Sequence, residues 1–232
     1  MSLKQCAIYI RGSKILSVLL KYCGHRSLAD LQKGASSQAD YLGLIFAESK
    51  RKVEAQQVKE WLEAVLLHGK KLVGVFVNET TERICEVTRL VPLSVIQCHG
   101  NESVEQVAKI KEATGLPVWK AIHHGEDALT KMKQYAHVAD GYVVDSRVRG
   151  AWGGTGVSFD WAAVPFYLEE AERQSVPCFI AGGITPENVE QLLSYCPHGL
   201  DISSGIEENG EKSIEKMIEI EKKVTRYVQC AK

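Results

Sequence analysis

Eight short, β-branched apolar runs alternate with longer helix-period stretches along this chain of 232 residues. No other feature limits the available folds as strongly. The runs are VLLKYC (18–23), DYLGLIF (40–46), KLVGVFV (71–77), LSVIQC (93–98), LPVWKAI (116–122), DGYVVD (140–145), VPCFIA (176–181) and GLDIS (199–203). Near-continuous apolar strands are buried on both faces, the habit of a parallel sheet covered by helices. Strict β-α alternation fits a closed barrel or an open doubly wound sheet. Each strand-plus-helix unit takes roughly 27 residues, and eight units without a break in composition favour closure into one parallel (β/α)₈ TIM barrel. The expected barrel domain is 17–232. Residues 1–16 are an extension or tag of unassigned role, with no signal-peptide layout.

Capping residues mark several helix starts: Ser27 before LADLQKGASSQ, Thr80 before TERICEVTRL, Asn101 before ESVEQVAKI, and Thr185 before Pro186. Hydrophobic residues make up 45% and charged residues 25%, as in a globular protein. A net charge of -1 supplies no basic field for nucleic acid. No apolar stretch is long enough to span a membrane. Seven cysteines without a CxxC pair argue against a disulfide framework and a structural zinc, and suit a reducing cytoplasm. Outside Cys23 the cysteines read as inert packing.

Chemistry in such a barrel sits at the carboxyl ends of the strands. The candidates there are Cys23, Ser49 to Arg51, Asn78, Gln97, His99, Lys120, His123, Asp145, Gly182, Gly183, and Ser203 to Gly205. Three glycine loops, GAWGGTG (150–156), AGG (181–183) and SSG (203–205), follow strands six to eight. Glycine lets backbone N–H groups approach an anion, and the last two loops are this fold's usual phosphate seat; the alternative is that they only permit tight turns. Cys23 ends strand one facing the expected ligand, but a free thiol is only about 3% thiolate at neutral pH, so a nearby cation must raise that fraction. A pair with His25 is a second possibility. Asp145 ends strand six and serves either as a loop cap or as an acid, the latter only if its environment retains the proton. Arg51 is either a solvated cation or a planar partner for a substrate carboxylate. Gln97 and His99 share a face, directed into the barrel mouth or into a polar cluster. His123 and His124 read as loop histidines.

Seven motifs at matching strand ends carry a resemblance that extends from about Val18 to the end of the chain. They are KYCGHRSLADL (21–31), DYLGLIFAESKRKV (40–53), VGVFVNE (73–79), VIQCHG (95–100), VVDSRVRGAWGGTGVSFDW (143–161), FIAGGITPENV (179–189) and GLDISSGIEENGEKS (199–213). Together they resemble phosphoribosylanthranilate isomerase, the tryptophan-pathway enzyme that performs an Amadori rearrangement. The resemblance implies Cys23 as general base, Asp145 as general acid and Arg51 as the anthranilate carboxylate clamp. It implies substrate contacts at Gln97, His99, Gly154, Thr155, Gly156, Gly182, Gly183, Asp201, Ser203, Ser204 and Gly205. A phosphosugar substrate is expected, with no metal and no cofactor, on a monomer or homodimer. His25 and Cys98 depart from the usual residues at their positions. A different sugar-phosphate isomerase, epimerase or indole-forming synthase would need a carboxylate pair, a metal-bound His or a lysine, and Lys120 is the strand-end lysine best placed for that role.

Overall fold

In the computed structural model, described for residues 8–10, 13–15, 18–146 and 160–230, the eight apolar runs become eight strands. They are β1 Leu19–Cys23, β2 Tyr41–Ile45, β3 Lys71–Phe76, β4 Val95–Cys98, β5 Val118–His123, β6 Gly141–Asp145, β7 Cys178–Ala181 and β8 Gly199–Ile202. All neighbouring pairs are parallel, and β8 pairs with β1 through Leu200↔Leu20, Asp201↔Lys21 and Ile202↔Tyr22, which closes the barrel. Helices α1 Leu28–Ser36, α2 Ala55–Ala64, α3 Thr81–Leu90, α4 Val104–Thr114, α5 Ala128–Gln134, α6 Val164–Arg173, α7 Val189–Leu193 and α8 Ile214–Cys230 alternate with the strands. No helix among the described residues is long and apolar enough to cross a membrane. Outside the barrel, Ile8–Ile10 and Ser13–Ile15 form an antiparallel hairpin near α6.

Two predicted caps hold. The side chains of Ser27 and Thr80 accept from the backbone N–H groups of Asp30 and Arg83. Helix α4 begins two residues later than expected. Ser103 and Gln106 form a capping box that satisfies two helix-end donors reciprocally, so Asn101 stays in the loop. After Thr185-Pro186 the chain makes a turn, and α7 starts only at Val189, with Asn188 Oδ1 accepting from the Thr185 N–H.

Side chains alternate across a strand, and here odd positions face the barrel axis. Val73, Val95, Trp119, Ala121, Val143, Phe179 and Ala181 form the inner cluster, whose floor is the aromatic group Tyr41, Trp119 and Phe179. Even positions such as Leu20, Tyr22, Leu42, Leu44, Ile96 and Ile180 pack outward, in the core that the helices cover. This parity decides which strand-end residues reach the mouth of the barrel.

Candidate active site

One cavity of about 440 Å³ opens at the carboxyl ends of the strands. Cys23, Arg51, Gln97, His99, Asp145, Gly182, Gly183, Asp201, Ser203, Ser204 and Gly205 all line it. The substrate-contact and catalytic residues implied by the resemblance are thus gathered at one place within the described part, whereas the strand-end candidates Asn78, Lys120 and His123 do not line it. Gly154, Thr155 and Gly156 lie outside the described residues. Three buried polar atoms belonging to lining residues, Gln97 Oε1, His99 Nε2 and Ser203 Oγ, have no hydrogen-bond partner among the described residues. Buried polar atoms are ordinarily satisfied, so a cavity carrying three such atoms is matched to a polar ligand.

Cys23 is the last residue of β1 and is 7% exposed. Burial pushes its thiol up from the ordinary value; Lys21 pulls down, Asp201 pushes up, and Lys212 pulls down. Lys21 sits two residues earlier on the same face, fully buried, with its ammonium 2.8 Å from both carboxylate oxygens of Asp201. The Cys23–His25 pair does not form. Gly24, at φ +81, turns the chain, and the buried His25 ring packs against Gly34 with Nδ1 3.3 Å from the Gly43 carbonyl. Burial, with the charge of Lys212, holds His25 neutral, its pKa lowered to about 3.

Asp145 ends β6, 3% exposed, on the far side of the cavity from β2 and β3. His99 Nε2 lies 3.4 Å from Asp145 Oδ2, and Gln97 Nε2 is 2.8 Å from His99 Nδ1. With the Gln97 amide donating as oriented here, the proton of a neutral His99 sits on Nε2, toward Asp145. Gln97 and His99 thus both face the mouth, and Cys98 between them is buried in the outer core.

Arg51 is not a solvated cation. It is 5% exposed, and its Nε and Nη2 donate to the two carboxylate oxygens of Glu207, each at 2.7 Å. That pairing uses one edge of the guanidinium and leaves the Nη1 N–H groups and one on Nη2 for a second carboxylate. Glu207 also accepts from Lys212 Nζ at 2.9 Å, and the same ammonium donates to the carbonyls of Cys23 (2.6 Å) and Ser203 (3.1 Å). Burial pushes the Glu207 carboxyl up, but hydrogen bonds and charge from Arg51 and Lys212 outweigh it and hold the group down at about 2. Glu207 and Lys212 lie on the short hairpin Glu207–Glu208/Glu211–Lys212 between β8 and α8. Neither was singled out from sequence, since a Glu and a Lys in EENGEK look like a solvated turn.

The loops after β7 and β8 are shaped by glycine. Gly182 and Gly183 adopt φ of +89° and +64°, which side chains rarely tolerate. A Cβ on Gly205 would lie 1.8 Å from the Ile184 carbonyl oxygen, so the two loops touch backbone to backbone there.

Some expectations need correction. Lys120, at an even position of β5, points away from the cavity into a buried network with Glu102 (3.0 Å) and the carbonyls of Cys98 and Gly100. It braces the loop after β4 and offers no amine to a ligand. His123 is the last residue of β5, in register with Asp145, rather than a loop residue. Cys23, Cys85, Cys98 and Cys178 are free thiols, whereas Cys196 is disulfide-bonded, so the reading of the remaining cysteines as inert packing fails for it. Local apolar sequence does not report which thiols the fold brings within bonding reach.

The fold and the site together define a (β/α)₈-barrel enzyme with a thiol, a carboxyl and a guanidinium around one ligand cavity. Residues 20–223 match the family model of N-(5'phosphoribosyl)anthranilate (PRA) isomerase. The N-(5'-phosphoribosyl)anthranilate isomerase of Geobacillus thermodenitrificans is 62% identical over 215 residues, covering 93% of this chain and 97% of that protein. The phosphoribosyl anthranilate isomerase structure from Thermotoga maritima matches with a TM-score of 0.77 at 28% identity, over 90% of this chain and 99% of that one. A further structure of such an isomerase, in complex with reduced 1-(o-carboxyphenylamino)-1-deoxyribulose 5-phosphate, matches at 0.74 and 28% with the same coverage. The chain belongs to the N-(5'-phosphoribosyl)anthranilate isomerase family.

Proposed function

We propose that this chain catalyses the Amadori rearrangement of N-(5'-phosphoribosyl)anthranilate to 1-(o-carboxyphenylamino)-1-deoxyribulose 5-phosphate, the isomerase step of tryptophan biosynthesis, with Cys23 as general base and Asp145 as general acid. The observation that carries the reading is the convergence of Cys23, Asp145 and Arg51 on one cavity that also holds three buried polar atoms with no hydrogen-bond partner among the described residues. Asp145 gives its proton to the ring oxygen, and the furanose opens to a Schiff base between C1' and the anthranilate nitrogen. The Cys23 thiolate then takes the C2' proton, and the electron pair moves to the nitrogen to give an enolamine. Tautomerisation places a proton on C1' and releases the one on the C2' hydroxyl, leaving the ketone. General acid and base groups of this kind each contribute roughly 10²–10⁴-fold in rate.

The free edge of Arg51 takes the anthranilate carboxylate while Glu207 holds the other edge. The phosphate lies against the backbone of Gly182, Gly183 and Ser203 to Gly205, with 154–156 as the third expected loop. Gln97, His99 and Asp201 contact the sugar. The reaction needs no metal and no cofactor. The catalytic unit is 17–232, acting in the cytoplasm as a monomer or homodimer, with neither nucleic acid nor membrane as partner. The test is the loss of phosphoribosylanthranilate fluorescence on adding purified protein, together with rescue of a tryptophan auxotroph lacking the enzyme. Turnover by the unaltered chain and failure of both Cys23→Ala and Asp145→Asn are expected. Absence of turnover, or rescue by both variants, would overturn the reading.

A further inference from the structure

The interior of the barrel below the cavity is apolar except at one level. There Lys21 of β1 and Asp201 of β8 are direct partners in the strand register, and their side chains make the ion pair described above, with Lys21 at 0% and Asp201 at 8% exposure. A buried ion pair of this kind is weak support for a fold, because well-packed apolar side chains of similar volume serve as well or better. Its position is more informative than its stability. Lys21 and Cys23 are two residues apart on one strand, so they share the inward face and are separated by about 7 Å along the backbone. The four-carbon stem of a lysine spans that distance, and the ammonium, hydrogen-bonded to Asp201, pulls the Cys23 thiol down by its charge.

We infer that Lys21 is a positioning residue for the base: its ammonium, seated by Asp201 across the seam that closes the barrel, stabilises the Cys23 thiolate. The inference rests on the reading of Cys23 as the base. It also names the source of the cation that a buried thiol needs in order to ionise.

The surroundings of Cys23 single out this lysine. From β8 comes Asp201, and from just past its end Ser203. From β2 comes Gly43, where a Cβ would sit 2.6 Å from the Cys23 sulfur, so no side chain intervenes on that side. Arg51 reaches over Gly24, and Lys212 contacts the backbone carbonyl of Cys23 rather than its sulfur. Arg51 and Lys212 are both committed to Glu207. Across the cavity stand Asp145 and His99. Of the three cations, Lys21 is therefore the one that shares the inward face with the Cys23 sulfur and is not committed to Glu207, and Asp201 is the anion that holds it there and partly offsets its charge.

The two partners must then have opposite effects on Cys23, which a merely structural pair would not. The measurement is the rate of iodoacetamide alkylation of Cys23 in the free enzyme as a function of pH, followed on the Cys23 peptide by mass spectrometry so that other thiols do not contribute. Lys21→Met should raise the midpoint by about one pH unit or more. Asp201→Asn should lower it, and Lys21→Arg should stay near the unaltered protein. If Lys21→Met fails to fold because Asp201 is left unpaired, Asp201→Asn and the double variant Lys21→Met/Asp201→Asn still decide the matter, the double variant lying above Asp201→Asn. Shifts of both single variants in the same direction, or no shift on removing the ammonium, would overturn the inference. The readout does not depend on turnover, so full activity of Cys23→Ala would defeat the base assignment while leaving the effect of Lys21 on the thiol measurable.

Discussion

Replacing Glu207 by Gln tests whether the carboxylate clamp is itself held by a carboxylate. The Glu207 side chain is 12% exposed and is gripped by Arg51 at 2.7 Å twice and by Lys212 at 2.9 Å. These contacts bring its pKa from an ordinary 4.5 to about 2 against the opposing effect of burial. At about 1.4 kcal/mol per pH unit, that displacement corresponds to ~3 kcal/mol of folding stability. Because the folded-state value is depressed, the contribution is complete above the unfolded value near 4.5 and is lost as pH falls through about 2. The glutamine keeps one acceptor but leaves Arg51 and Lys212 as neighbouring cations without a counter-charge. Urea unfolding at pH 7 should therefore show the variant destabilised by about 3 kcal/mol, and the gap should narrow to about 2 kcal/mol by pH 3.5. KM should rise as well, since Arg51 loses its seat. A loss below ~1 kcal/mol at pH 7, or a gap that does not change between pH 7 and pH 3.5, would refute the reasoning, because a paired carboxylate cannot be both energetically silent and held near 2.

Two further outcomes follow from the same physics. Arg51→Ala should raise KM far more than it lowers kcat; a large fall in kcat at unchanged KM in steady-state assays would contradict the clamp role. His25→Leu should move acid unfolding to lower pH. The native ring resists protonation down to about 3 while the unfolded ring takes a proton near 6.5, so His25 costs stability as pH falls between those values, and a circular-dichroism acid titration should show the variant outlasting the unaltered chain.

The parts of this molecule that were legible in the sequence are those set by local pattern. Eight apolar runs became eight strands within a residue or two, because burial on both faces leaves an unbroken apolar signature that needs no knowledge of partners. The choice among strand-end residues needed parity as well as position. Lys120 and Gln97 both stand near a strand end, but Lys120 occupies an even position and points into the outer network, whereas Gln97 is odd and enters the mouth. Strand ends alone therefore admit candidates such as Lys120 that the cavity does not hold, and the alternation that makes a strand recognisable is what removes it. Lys21 passed the parity test unnoticed, because a lysine inside VLLKYC gains meaning only from Asp201, 180 residues away at the closing seam. Glu207 and Lys212 were hidden for a related reason: their partners are Arg51 on a loop after β2 and the backbone carbonyl of Cys23. Nonlocal ion pairs leave no spacing to read, whereas strand alternation and most caps do. A charged residue at an inward parity position of an otherwise apolar strand is nevertheless a local signal. Applied to these eight strands, it selects Lys21, Asp145 and Asp201 together, with Lys71 excluded by its exposure at the start of β3.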